Sequence, residues 1–181
     1  MGSRVPLSPE RLVFEEVATA HSDIEKSIRF YYGQPSIETL DPKFIGYTPD
    51  QVAEERDERL AYLDRNAAFN VLAALEASFR LDIRVRCDGR KKDELSRSFR
   101  RLRKVKGEDR VSLEQHILEQ WKAHRPQSKS LISDLKAAFR YRHWLAHGCY
   151  WNPKLGKKYD FSSVYQLAQE VDQTLPLHGS A

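Results

Sequence analysis

Between residues 48 and 88 the chain carries apolar side chains at intervals of three and four, among them Leu60, Leu63, Ala67, Val71, Ala74 and Leu75. That period lays one apolar stripe along a helix. Thr48-Pro49-Asp50-Gln51 opens the run with a capping-box pattern, in which the threonine and the glutamine satisfy each other's free backbone N–H groups. Ended before Asp88-Gly89, the helix is about forty residues long, well beyond the usual globular length. The expectation is a break or kink near residues 81–85, which also read as the one brief candidate for a strand.

The remaining punctuation is helical too. Ser8-Pro9 reads as a cap with proline at the first helical position, and Gly33 as the stop of a helix through Phe30, Tyr31 and Tyr32. Residues 34–47, with Pro35, Pro42 and Gly46, read as a loop. A basic helix over 93–104 turns Leu95, Phe99 and Leu102 inward and stops at Gly107. Ser112-Leu113-Glu114-Gln115 is a second capping-box pattern, opening a helix through Ile117, Leu118 and Trp121 that ends before Pro126. Ser130 is the expected cap of a helix over 131–146 closed by Gly148, residues 152–156 form a turn, and Ser162 or Asp160 caps a last helix through Val164, Leu167, Val171 and Leu175. The predicted fold class is all-α, a bundle of five to seven helices.

A chain of 181 residues with 40% hydrophobic content can bury a core without disulfides. No apolar run reaches bilayer length and no apolar signal segment opens the chain, so no membrane partner is expected. Cys87 and Cys149 form no CxxC pair, and a reduced, cytoplasmic setting is the expectation. The net charge is only +4, but residues 84–106 hold eleven basic side chains against three acidic ones, or +8. Such a local field attracts a polyanion, with Arg97, Arg100, Arg101 and Lys104 as the candidate nucleic-acid contacts. A solvated helix face explains the same run equally well.

Phe139-Arg140-Tyr141-Arg142-His143-Trp144-Leu145-Ala146-His147-Gly148 is the stretch richest in chemistry. Arginine holds phosphate oxygens in a planar fork, and histidine moves protons near neutral pH. Arg142 falls on the apolar stripe of its helix, three residues after Phe139 and three before Leu145. An inward charge is costly unless paired or facing a cleft, and Glu76 on the long helix is its natural partner. Five residues turn a helix by roughly 140°, so Arg142 and His147 diverge on a straight one. They meet only if the helix loosens before Gly148 or if two copies of the chain share one site. His143 stands ready to orient Arg142 or to touch a phosphate, and Trp144, Tyr150 and Trp151 flank the pair as stacking surfaces or as core. His116 and His124 are eight apart with no acid or cysteine pattern, so no metal and no cofactor is expected.

Arg142-His143-Trp144-Leu145-Ala146-His147 resembles the signature of the HEPN superfamily: an arginine, a polar residue directly after it, and a histidine four to six residues on. The upstream run from Leu63-Asp64-Arg65-Asn66 to Leu75-Glu76-Ala77-Ser78 is similar to that family's earlier helix, where a glutamate often faces the motif. The resemblance covers residues 48–175 and leaves 1–47 as a helical extension with its loop and 176–181 as a tail. It implies a metal-independent ribonuclease, toxin-like or defensive, that is a homodimer with its sites at the interface. It further implies His147 as proton carrier, Arg142 as phosphate holder, Glu76 as orienting group, Asn66 as an assistant, and a 2′,3′-cyclic phosphate product. Some relatives answer to an antitoxin that modifies a tyrosine one residue beyond the position after the histidine. Here Tyr150 follows His147 with two residues between, a departure from that pattern.

Two other classes compete. One is a helical RNA-binding or protein-interaction scaffold using residues 84–106, with Arg142 and His147 structural. The other is a helix-turn-helix around residues 111–125, whose turn signals are poor.

Overall fold

The long helix is the spine of the molecule. The computed structural model describes residues 10–33, 41–107 and 110–178. Its six α-helices are α1 (Phe14–Tyr32), α2 (Pro49–Asp88), α3 (Glu94–Lys106), α4 (Leu118–His124), α5 (Lys129–Ala146) and α6 (Phe161–Thr174). Among the described residues there is no strand, so the fold is an all-α bundle. No helix of the described residues is long and apolar enough to cross a membrane.

The capping box at the head of α2 forms as expected: the Gln51 N–H donates to Thr48 Oγ1 at 3.2 Å, and the Thr48 N–H donates to Gln51 Oε1 at 2.8 Å. From there α2 runs unbroken for 40 residues, about 60 Å at 1.5 Å per residue. The expected break near residues 81–85 is absent, as is the alternative of a short strand there. The physical reason is a polar pair on the inner face of this segment. Arg86 Nε donates to both oxygens of Asp82, at 2.7 and 2.9 Å, one helical turn apart. Arg86 also reaches Asp93, Ser96 and the Pro176 carbonyl, while its guanidinium lies 5.1 Å from the Trp121 ring. The buried backbone of this segment therefore stays helical, with its polar gap filled from within.

Around α2 the other helices bury one core in which Phe79, Trp121, Leu72, Leu135 and Val164 are almost fully enclosed. α1 packs antiparallel against the first half of α2: Tyr32 donates to Glu55 and His21 pairs with Asp64 at 3.3 Å. Val17 belongs to the shared core, and His21 stacks on Phe161 of α6.

Several helix ends differ from the sequence expectation. Residues 10–13 are not helical, so α1 starts at Phe14; Ser8 and Pro9 lie outside the described residues, as do residues 34–40 of the expected loop. Gly33 ends α1, where an added Cβ would sit 2.7 Å from the Arg29 carbonyl oxygen. Ser112 accepts from the Gln115 N–H, but its own N–H donates to His116 Nδ1 rather than to Gln115. The reciprocal half of that box is thus taken by a histidine one residue further on, and the chain enters α4 through a π-helical turn, Leu113–Ile117. Ser130 is not a cap: α5 begins at Lys129, because the 3₁₀ turn Pro126–Ser128 already aligns the backbone. Of the two candidates for α6, Asp160 is the cap, and it forms a reciprocal box with Ser163.

Candidate functional site

α5 carries its apolar stripe, Leu131, Leu135, Ala138 and Phe139, into the core. Arg142 continues that stripe, and its side chain stays only 32% exposed. Its guanidinium lies 5.4 Å from the Phe69 ring, and Nη1 reaches Glu76 Oε2 at 3.1 Å. Sequence reasoning from the cost of an inward charge finds this contact. Glu76 Oε1 is held at 2.8 Å by both Nε and Nη2 of Arg80, one turn further along α2. One carboxylate is therefore shared by two guanidiniums. Arg142 Nε is shielded from solvent and has no acceptor among the described residues.

These groups border an open cleft of about 400 Å³, lined also by Arg110, Glu114 and His143. His147 does not line it. α5 stays regular to Ala146, and His147 sits just past its end, so the loosening that would have swung His147 toward Arg142 does not occur. The chain leaves α5 with the Gly148 N–H donating to the Leu145 carbonyl and the Cys149 N–H to that of Trp144, both residues at positive φ, 75° and 60°. What links the two motif residues is His143. It lines the cleft with Arg142, and its ring centre lies 4.3 Å from that of His147. Trp151 stands 5.9 Å from the His143 ring and 6.1 Å from the His147 ring, anchored by Trp144 Nε1, which donates to the Trp151 carbonyl at 2.7 Å. Tyr150 is 81% exposed and packs edge-on against Trp151. On the inner side Tyr141 stacks on Tyr159 and Trp144, and burial pushes its phenol pKa up.

Asn66 is not part of this site. It lines a separate, largely apolar groove between α1 and α2 with Leu63 and Asn70. Ten residues separate Asn66 from Glu76, which on a helix is about 15 Å and roughly 80° off the same face.

The basic segment is partly consumed by the fold. Arg97, Arg101 and Lys104 are exposed on α3, but Arg100 donates to the Lys91 carbonyl at 2.7 Å and Arg103 pairs with Asp88 at 3.2 Å. Arg86 is buried against Asp82, so the surface share of the segment is +7, the former +8 less one. Two cleft arginines were missed by sequence reasoning. Arg80 had a signal, its position four residues after Glu76. Arg110 had none, since it lies between α3 and the π-helical turn Leu113–Ile117, outside any periodic helical stripe. Among the described residues no group of three or more histidines, cysteines or carboxylates is placed to hold a metal ion. His116 is engaged by the Ser112 N–H, and His124 Nδ1 by the Gln120 carbonyl. Comparison with protein-family models, with curated proteins and with solved structures gives no match.

Proposed function

We propose that this chain is a metal-independent endoribonuclease of the HEPN type, a toxin or defence effector. The observation that carries the reading is Arg142: an inward-facing arginine, tied to Glu76 at the edge of an open cleft, with one donor still lacking an acceptor. A buried donor without a partner is uncommon, and an arginine fork is well shaped for phosphate oxygens.

In this mechanism Arg142 holds the scissile phosphodiester and stabilises charge as it builds on phosphorus. Glu76 fixes the arginine in place, with His143 beside it. The ribose 2′-oxygen attacks phosphorus, the bond to the 5′-oxygen breaks, and His147 either takes the 2′-OH proton or supplies one to the leaving oxygen. The product is a 2′,3′-cyclic phosphate, and DNA, which has no 2′-OH, is spared. Because His147 lies outside the cleft of its own Arg142, a second copy of the chain completes the site in a homodimer. Control by an antitoxin or other regulatory partner belongs to the same reading, with Tyr150 exposed for contact.

A second reading, a non-catalytic RNA-binding scaffold, draws on that same separation of Arg142 from His147 and on exposed Arg97, Arg101 and Lys104. The deciding experiment incubates labelled single-stranded RNA with protein in excess EDTA. Wild type should release cyclic-phosphate ends, while Arg142→Ala and His147→Ala each lose activity by roughly 10²- to 10⁴-fold. His147 is exposed, so its substitution leaves folding intact, and equal cleavage by His147→Ala would sink the ribonuclease reading.

A further inference from the structure

Three guanidiniums reach the cleft from three separate places: Arg80 on α2, Arg110 just after the described end of α3, and Arg142 on α5. Among the described residues two carboxylates face them, Glu76 and Glu114, so the arginines and carboxylates of the described lining sum to +1. Glu76 is already shared by Arg80 and Arg142. Arg110 is exposed and makes no ion pair or hydrogen bond among the described residues. Convergent like charges repel, and a cavity of about 400 Å³ open to solvent leaves room for an anion to relieve them.

We propose that this cleft is a subsite for a second phosphate group of the RNA strand, next to the one at the scissile bond, with Arg110 as its gripping side chain. Arg80 is a positioning residue: by occupying Glu76 Oε1 from two nitrogens it leaves Oε2 for Arg142. The ligand chemistry is a tetrahedral oxyanion, which an arginine fork meets with paired N–H donors. The inference rests on Arg142 as the phosphate-holding group. It adds that the enzyme grips its substrate on one side of the scissile bond, so very short substrates lose affinity.

The test uses a 2′-O-methyl RNA oligonucleotide, whose blocked 2′-oxygen cannot attack, so binding is read apart from chemistry. Fluorescence anisotropy over a range of salt compares wild type, Arg110→Ala, Arg110→Lys and Arg56→Ala. Arg56 lies on α2 twenty residues before Glu76, about 30 Å away, and pairs with Asp57. Arg110→Ala should weaken binding roughly tenfold. It should also lower the slope of log affinity against log salt by about one. Arg110→Lys should restore the slope but only part of the affinity, and Arg56→Ala should change neither.

An equal loss in Arg56→Ala, or no loss in Arg110→Ala, overturns the subsite. Inorganic phosphate is the second probe. If it binds in an Arg110-dependent way while oligonucleotide binding ignores Arg110, the cleft serves a free phosphate and its place on RNA is overturned. Absent cleavage with intact Arg110-dependent binding would remove the ribonuclease reading and leave the subsite standing.

Discussion

Arg86 and Arg142 both point into the bundle, yet they are treated in opposite ways. Arg86, on α2, is 5% exposed and fully engaged by Asp82, Asp93, Ser96 and the Pro176 carbonyl. Arg142, on α5, shares one carboxylate with a competitor, keeps one donor unpaired and borders open space. The first arrangement closes a helix bundle around a charge, and desolvation still raises the Asp82 carboxyl pKa. The second holds a charge near solvent with its bonding incomplete. An inward arginine is thus no sign of function by itself; whether a donor is left without an acceptor is what separates the two.

The largest effect should come from breaking the closed region. Asp82→Ala strands Arg86 in the core, and removing one member of a buried pair costs about 3–5 kcal/mol. Asp93 and Ser96 remain within reach of Arg86, so the low end is expected. Asp82→Ala also removes the acceptor of the His178 N–H, which fastens the segment after α6. Urea unfolding measures the loss. A cost no larger than that of the same change at Glu76 would erase the distinction between the two arginines.

Asp160 grades the comparison with a carboxylate that binds backbone rather than arginine. The Ser163 N–H, joined by the Ser163 hydroxyl, holds its pKa below the ordinary carboxylate value. A folded-state pKa that is lowered gives stability present above the unfolded value and lost as pH falls through the folded one. Asp160→Ala should therefore cost about 1 kcal/mol at neutral pH, the usual worth of an N-cap. The gap to wild type should close in acid, below the ordinary carboxylate range, as thermal unfolding across pH would read. A gap that persisted there would mean that packing, not the charged cap, holds the start of α6.

These contrasts also explain what was legible in the sequence. The box at Thr48 and the cap of α6 depend on contacts three residues apart, so local pattern carries the first and narrows the second to Ser162 or Asp160, while the reciprocal bond to Ser163 shows only in the backbone. The pairing of Arg142 with Glu76 was legible because a charge on an apolar stripe demands an inward carboxylate. The continuity of α2 was not, since Asp82 and Arg86 interrupt the stripe and only tertiary packing shows that they satisfy each other. Arg86 counted as surface charge for the same reason. Asn66 failed on helical geometry, ten residues being the wrong rotation to share a face with Glu76.

The smallest change in stability should be the sharpest probe of the open region. Glu76→Gln keeps the shape of the side chain and removes the charge between Arg80 and Arg142. Glu76 is 18% exposed and its partners 51% and 32%, so solvent screens the pair and the loss should be roughly 0.5 kcal/mol. The described cleft lining gains one positive charge, from +1 to +2, so a 2′-O-methyl oligonucleotide should bind at least as tightly as to wild type. Cleavage should nonetheless fall, because a neutral amide restrains two guanidiniums less firmly than a carboxylate does. Tighter binding with slower cleavage separates positioning from charge attraction. If binding and cleavage instead fell together with a loss of several kcal/mol, Glu76 would be a structural anchor like Asp82, and the cleft would differ from the closed region only in its exposure.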